Sequence, residues 1–349
     1  MKIIAAIANG PRDPFEIEPC ELSAPRAGEV MVRVHACGIC HTDLAVKLGH
    51  IPVPMPKVLG HEGAGVIEEV GPGVTSFRPG DDVLMSFGSC GECSNCRDGA
   101  LGYCDQFRAI NLFGNGPGGS ALRRGGSELG GHFFAQSAFA THAIATTRNI
   151  VKVDADLPLE LLAPLGCGIQ TGMGSVMNVL RPQAGTSIAV FGVGAVGLSA
   201  IIAARIVGYS TIVAVDVVPE RLRMARELGA THAVSGRADD PVAEIVELTR
   251  GGAIFSLEAT GVPAGRGELH QLPACERHQR AGCGAAPRDP LRGRSKRRGR
   301  SGNWHSRRRR GRCQPPAVYP ANDRLLPRRS VAARQIRQDL SARKDQRGC

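Results

Sequence analysis

Thr186-Ser187-Ile188-Ala189-Val190-Phe191-Gly192-Val193-Gly194-Ala195-Val196-Gly197 passes from a β-rich run into the pattern G-x-G-x-x-G. An apolar helical pattern continues to Val207, and a second β run, Thr211 to Val215, ends in Asp216, 19 residues after Gly197. Strand, glycine turn, helix, strand and terminal acid in this order predict a doubly wound parallel α/β unit of the Rossmann type that binds a dinucleotide. Gly192, Gly194 and Gly197 permit the tight turn, the approach of backbone to a pyrophosphate and the packing of helix on strand. The helix N-terminus supplies N–H groups and positive dipole. A carboxylate at Asp216 suits the adenosine ribose hydroxyls and repels a 2′-phosphate, which favours NAD over NADP. The residues that follow, Val217-Val218-Pro219, put no base beside it in sequence.

Downstream, Pro219 starts and Gly229 ends a second helical segment, Pro241–Arg250 reads as a third, and Ile254–Glu258 as a fourth strand followed by Ala259-Thr260-Gly261. No further strand is legible. The cofactor domain, 156–264, is therefore expected to be incomplete, with its fourth strand an unpaired edge.

Upstream lies Cys90-Gly-Glu-Cys93-Ser-Asn-Cys96-Arg-Asp-Gly-Ala-Leu-Gly-Tyr-Cys104, spaced C-x2-C-x2-C-x7-C. Four thiolates this close enclose one tetrahedral Zn²⁺ with no open position, as a structural zinc is held. A disulfide knot and an iron–sulfur cluster are the alternatives. The first belongs to small secreted domains and no signal peptide precedes the lobe; the second uses other spacings, commonly with a Pro after the last Cys.

A second constellation is dispersed: Gly38-Ile39-Cys40-His41-Thr42-Asp43, Gly60-His61-Glu62-Gly63-Ala64-Gly65 and Leu165-Gly166-Cys167-Gly168-Ile169-Gln170-Thr171-Gly172. One His and two Cys make a three-ligand zinc site with a coordination position left open for chemistry. Each alone is more often a packed core residue than a ligand; the Gly-rich frames around all three favour ligation.

Together, the G-H-E motif, the four-cysteine lobe, the later G-C-G-x-x-T-G and the G-x-G-x-x-G resemble the zinc-dependent medium-chain alcohol dehydrogenases, closest to the aryl (benzyl) alcohol branch. The resemblance runs from residue 1 to about Gly261-Val262-Pro263. It implies a GroES-like antiparallel β catalytic domain over 1–155, with the zinc lobe at 88–105, ahead of the Rossmann domain. It implies a catalytic zinc on Cys40, His61 and Cys167, and a structural one on Cys90, Cys93, Cys96 and Cys104. Thr42 would pass the alcohol proton, Asp43 would support His61 and Glu62 would stand behind the metal. His41, Thr171, Val196 and Arg221 would join the glycines and Asp216 at NAD. Position 45, where several members carry a relay His, is Ala45, so a water or the cofactor ribose would deliver the proton. The family further implies a homo-oligomer, acting on a small alcohol or aldehyde with no specific nucleic acid partner.

In the N-terminal part, an apolar run, Ile3–Ala8, leads into a turn-rich stretch with Pro11, Pro14, Pro19 and Pro25, and Glu29–Ala36, Gly65–Val70 and Asp82–Met85 read as strands. Gly114 to Gly131 holds eight Gly and one Pro, which predicts a mobile loop, a lid. Phe133 and Phe134 follow it and suit an aromatic substrate or the core. Pro158 to about Leu180 reads as helical. No apolar run is long enough to span a membrane, and thiolate ligands suit a reducing compartment, so a soluble, cytoplasmic enzyme is expected.

The charge is asymmetric. The chain carries a net +11, yet residues 1–264 hold 20 basic and 26 acidic side chains while residues 265–349 hold 23 basic (21 Arg, 2 Lys) and 6 acidic. The Arg-rich stretch shows neither a strand's nor a helix's apolar period. A nucleic-acid arm on an inactive dehydrogenase relic and a solvated linker are alternatives to the reading adopted, an out-of-frame translation that stays disordered. Read one base later, the codons for Asn303-Trp304-His305-Ser306 give Ile or Thr, Gly, then Ile or Thr, ordinary strand material.

Overall fold

The computed structural model describes residues 1–116 and 118–261, and the backbone of 279–282. The described residues fall into two compact units, Met1–Gly174 and the residues from Ser175 on.

The first unit is built on two antiparallel sheets. One orders β4 (Lys57–Val58), β1 (Lys2–Ala8), β2 (Phe15–Leu22), β7 (Leu122–Arg124) and β8 (Ser127–Glu128). The other orders β10 (Ile150–Lys152), β6 (Asp82–Met85), β5 (Glu62–Val70), β3 (Glu29–Gly38) and β9 (His142–Thr146). Alternation along β1 sends Ile3, Ala5 and Ile7 inward onto Leu22, Met31, Val58 and Leu129, the pattern of a sheet with one face buried. Val30, Val32, Ile67, Val83 and Met85 form the second core. Helix α1 (His41–Lys47) follows β3 directly, and α2 (Ser94–Arg97) sits within the cysteine lobe.

The glycine-rich segment departs from the expected mobile lid. Its residues 122–128 form the β7–β8 hairpin, paired to β2 through Glu21 and Leu22. The Arg26 guanidinium donates to the carbonyls of Gly118 and Gly119. Lys57 Nζ, on a side chain only 1% exposed, donates to Gly131 O at 3.1 Å and Gly114 O at 3.4 Å. Burial without a carboxylate in these bonds pushes the Lys57 ammonium down to about 8.

The expected helical stretch 158–180 is broken into α3 (Leu159–Leu162), a 3₁₀ turn at Ala163–Gly166, α4 (Gly168–Gly174) and a π turn at Ser175–Leu180. The 3₁₀ turn and α3 pack on β3, β5 and β6, which is why the first unit extends to Gly174 and not only to residue 155.

In the second unit, parallel strands run in the order β13 (His232–Ser235), β12 (Thr211–Asp216), β11 (Ser187–Phe191), β14 (Phe255–Glu258) and β15 (Gln279–Gly282). This is the doubly wound order, with the ligand crevice at the carboxyl ends of the strands. Every residue of β11 is buried, as a central parallel strand covered on both faces requires. Helix α5 (Ala195–Ile206) buries Gly197, Ala200, Ala203 and Ala204, small residues that allow it close to the sheet. Helices α6 (Pro219–Leu228) and α7 (Pro241–Leu248) follow β12 and β13, and Ile245 of α7 joins Phe191, Val213, Val215 and Val234 in the core.

The expected unpaired edge at the fourth strand is corrected: residues 255–258 pair in parallel with 279–282. Backbone hydrogen bonding needs no apolar pattern, which is how a strand forms in a stretch that reads as patternless. The remaining expectations for the basic tail, disorder and nucleic-acid contact, lie outside the described residues. None of the described helices is long and apolar enough to cross a membrane.

Candidate functional site

Among the described residues, two groups of metal-ligating side chains gather, each with its ligand atoms within 4.8 Å of one another: Cys90, Cys93, Cys96 and Cys104, and Cys40, His61, Glu62 and Cys167.

In the lobe all four cysteines are free thiols, with Cys90 Sγ 3.8 Å from Cys96 Sγ, so the disulfide alternative is not realised. The N–H groups of Cys93 and Glu92 point at Cys90 Sγ at 3.4 and 3.5 Å, and that of Cys90 at Cys104 Sγ at 3.3 Å. Backbone donation from Glu92 and then Cys93 lowers the Cys90 thiol to about 6, favouring the thiolate that a metal binds.

The second group is assembled from three places in the first unit. Cys40 lies just beyond β3 as the N-cap of α1, His61 immediately precedes β5, and Cys167 lies between the 3₁₀ turn and α4. Cys40 Sγ is 3.9 Å from Cys167 Sγ. His61 is 1% exposed, and its Nδ1 meets Asp43 Oδ1 at 3.0 Å. Asp43 also accepts from Cys40 N and Gly60 N, both at 3.0 Å. One buried carboxylate thus fixes the imidazole and the backbone at a thiol ligand. The opposite nitrogen, His61 Nε2, is buried and has no hydrogen-bond partner among the described residues. A buried orphan nitrogen facing two thiols calls for a cation, because its desolvation is otherwise uncompensated.

The electrostatics agree. The Cys167 thiol beside it, with help from His61, holds Cys40 down at about 3. Cys167 is pushed upward by Cys40 and by burial. Burial works against charge on His61, but the Asp43 carboxylate and Cys40 overcome it and raise the imidazole to about 9. Two cysteines compete for one negative charge, which a divalent ion relieves. Glu62 is 5% exposed and accepts from Gly168 N at 3.3 Å. Burial and then the Cys40 charge raise its carboxyl. Donor types, distances and the orphan nitrogen all fit zinc.

Aromatic rings wall this centre. Phe134 stacks on His61 with ring centroids 4.5 Å apart, and Phe133 meets it edge-on at 5.6 Å. Phe107 packs on Phe134 at 6.1 Å and Phe87 on Phe107 at 5.5 Å. Phe133 is fully buried and Phe134 half-buried, so the pair divides between core and wall.

Of the other residues expected in this unit, His41 opens α1 and is exposed, and Thr42 follows it half-buried. Ala45 is buried and supplies no relay group. Thr171, on α4, donates its hydroxyl to Cys167 O at 2.8 Å.

In the second unit the glycine turn leads from β11 into α5. Gly192 has φ +81°. A Cβ at Gly197 would fall 2.0 Å from Gly192 O, whereas one at Gly194 would meet nothing within 4 Å. The turn is tight behind and open in front, where an anion approaches a helix start. Val196 lies half-buried on the first turn of α5. Asp216, at the end of β12, accepts from Val193 N and Val218 N, both at 2.9 Å. It also has a neighbour that sequence adjacency hides: Arg221 Nη1 is 3.7 Å from Asp216 Oδ2 and half exposed. The expectation that no base lies beside Asp216 is corrected, because the first turn of α6 folds residue 221 back over the strand end. Open space at Gly194 and a carboxylate under the turn fit a dinucleotide.

Sequence reading missed Gln136, Ser86 and Gln170. Gln136 and Ser86 are isolated polar residues outside regular elements, and Gln170 on α4 is an unspecified position of the G-C-G-x-x-T-G run, so none leaves a periodic or motif signal.

Comparison with known proteins gives a consistent picture. Residues 26–155 match the alcohol dehydrogenase GroES-like domain family and residues 195–269 the zinc-binding dehydrogenase family. The geraniol dehydrogenase of Castellaniella defragrans is 47% identical over 262 residues, 74% of this chain and 70% of that protein. The crystal structure of an alcohol dehydrogenase zinc-binding domain protein from Burkholderia ambifaria is 51% identical, with a TM-score of 0.74 over 77% of this chain and 73% of that one. That of the benzyl alcohol dehydrogenase from Acinetobacter calcoaceticus is 47% identical, with a TM-score of 0.73 and the same coverage, 77% and 73%.

Proposed function

The chain belongs to the zinc-dependent medium-chain alcohol dehydrogenases, and from that membership we propose that it interconverts a primary, benzyl-type alcohol and its aldehyde with NAD. The observation that carries the reading is His61, whose unpartnered Nε2 lies with Cys40 and Cys167 while its ring stacks on Phe134. In this reading Cys40, His61 and Cys167 hold the catalytic zinc and the four lobe cysteines hold a structural one. When bound, the zinc supplies Lewis acidity toward the alcohol oxygen, and NAD accepts a hydride.

The chain's own residues do the rest. Asp43 holds His61 by its Nδ1 proton, leaving Nε2 as the ligand atom. Thr42 takes the alcohol proton through its hydroxyl and, with Ala45 behind it, releases it to water. Glu62 stands beside the ligands, hydrogen-bonded to Gly168 N. Phe134 and Phe107 exclude water and offer faces to a flat substrate. Geraniol and benzyl alcohol, named for two relatives, both carry an unsaturated carbon next to the carbinol, and aromatic walls suit that class. Gly192, Gly194, Val196, Gly197 and Arg221 of the second unit would hold NAD, with Asp216 at the adenosine ribose; His41 and Thr171 are assigned to the cofactor by the family resemblance alone.

The test is oxidation of benzyl alcohol and of cyclohexylmethanol with NAD, followed by NADH absorbance. It is run on the chain as written and on one with the reading frame restored beyond residue 264. The restored chain is expected to prefer benzyl alcohol at least tenfold in kcat/KM, roughly the discrimination an apolar pocket provides, and the written chain to be poorly active. Equal rates on the two alcohols would overturn the aromatic assignment. Full activity of the written chain would overturn the out-of-frame reading of its tail.

A further inference from the structure

We propose that Gln136 is a positioning residue for the three-ligand centre, tying the backbone of His61 through Ser86 to the carbonyl of Gly166, the residue before Cys167, so that this chain of hydrogen bonds governs how firmly the metal is kept. The proposal rests on the reading of Cys40, His61 and Cys167 as zinc ligands.

Gln136 is 2% exposed and uses both ends of its amide. Oε1 accepts from Gly63 N at 3.0 Å, while Nε2 donates to His61 O at 2.9 Å and Ser86 O at 3.1 Å. A carboxamide is the side chain that can accept once and donate twice from such a position. Ser86 carries the connection on: its hydroxyl donates to Gly166 O at 2.9 Å and accepts from Gln170 Nε2 at 2.7 Å. Gln170 donates to Gly166 O as well. Gly166 immediately precedes Cys167. Two ligands 106 residues apart in sequence are thus joined by one continuous polar path.

The chain holding Gln136 is strained in a way that needs a cause. Phe134, Ala135 and Ser137 have φ of 50°, 59° and 57°, in the left-handed region where non-glycine residues persist only if their surroundings impose it. Ser137 imposes it from one side, accepting from Phe133 N at 2.9 Å and donating to Val58 O at 2.7 Å. Asn149 does so from the other, donating to Ala135 O at 3.2 Å and Ser86 O at 3.0 Å. The same turn carries Phe134 onto the His61 ring. One strained turn therefore delivers both the amide behind His61 and the aromatic face in front of it.

The test uses the full chain loaded with zinc and follows metal release into a chromophoric chelator, with Cys40→Ser and Cys93→Ser identifying which phase belongs to which site. Gln136→Met removes all three amide bonds at nearly constant volume. Ser86→Ala removes the hydroxyl link and keeps the backbone acceptor. Each is expected to speed release from the Cys40 site by roughly ten- to hundredfold, the usual range for outer partners of metal ligands, and to leave the lobe phase unchanged. The double variant should be less than multiplicative, because both act on one path. After cobalt substitution, the visible d–d bands of the Cys40 site should shift in both variants. Unchanged release and unchanged bands, or equal acceleration of both phases, would overturn the proposal. If Gln136→Met does not fold, Ser86→Ala decides alone by the same criteria. If Cys40→Ser leaves both phases in place, the metal reading itself fails and the proposal falls with it.

Discussion

Replacing Gly194 and Gly197 by alanine, one at a time, separates two jobs that the glycine turn performs. At Gly194 the backbone is extended, φ −74° and ψ −163°, and an added Cβ meets nothing within 4 Å. The free protein should tolerate Gly194→Ala and gain about 0.4–1 kcal/mol from the stiffer unfolded chain. At Gly197 the same methyl falls 2.0 Å from the carbonyl oxygen of Gly192 and 3.0 Å from its carbon. The obstacle is backbone, which cannot rotate away, so helix α5 must move off the strand, at a cost of about 1–3 kcal/mol. The order reverses for the cofactor. If the open side of the turn receives the pyrophosphate, the Gly194 methyl occupies its place. NADH affinity should then fall about 100-fold, or ~2.8 kcal/mol at 1.4 kcal/mol per tenfold. Urea midpoints report the first effect and NADH fluorescence titration the second. Parent-like NADH affinity in Gly194→Ala would refute the placement of the pyrophosphate. Parent-like stability in Gly197→Ala would refute the packing.

Cys93→Ser is expected to remove one zinc and lower stability, while Cys40→Ser removes the other and abolishes activity with little loss of fold; metal analysis of both variants checks this, and a single zinc indifferent to Cys40→Ser would contradict it. Asp216→Ser should relax the preference for NAD, and more than sequence adjacency implies, since Arg221 at 3.7 Å is then free to meet a 2′-phosphate; Asp216→Ser with Arg221→Ala should lose that gain in NADP kinetics. Lys57 supplies a pH dependence. Its ammonium sits near 8 when folded against an ordinary 10.5, so between those pH values the unfolded chain binds more protons and stability rises with pH. The gain is about 3 kcal/mol at 1.36 kcal/mol per pKa unit, measured as the difference in urea stability between parent and Lys57→Met from pH 8 to 10.5, and a flat difference would exclude the buried charge.

Legibility in the sequence followed the range of the interactions involved. The parallel sheet was readable because each of its signals is local: an apolar strand, a glycine turn, an apolar helix, an acid at the next strand end. The four-cysteine lobe was readable because its ligands lie within one short segment, and the free, clustered thiols of Cys90, Cys93, Cys96 and Cys104 follow from that spacing. Cys40, His61 and Cys167 stand far apart, and their shared frames of glycine made the grouping visible; a fold that converges there was still needed to bring the atoms within 4.8 Å.

What escaped reading depends on geometry that composition masks. Eight glycines over 114–131 read as a lid, yet the decisive residues of that segment are few: Leu122 pairing with Leu22, and the carbonyls at 114 and 131 that receive a buried lysine. A carbonyl acceptor is present at every position, so no residue type marks the ones in use. The same holds for residues 279–282, which join the sheet by backbone pairing, and for Arg221, which reaches Asp216 because a helix begins between them. Gln136 is the extreme case. Its three partners are main-chain atoms of Gly63, His61 and Ser86, and the turn that presents it holds alanine and serine in a left-handed conformation that glycine would adopt more readily. Those residues therefore advertise neither the turn nor its purpose. The position is dictated by what surrounds it, and it is such over-determined, locally unfavourable chain that marks where the fold is organised around Cys40, His61 and Cys167.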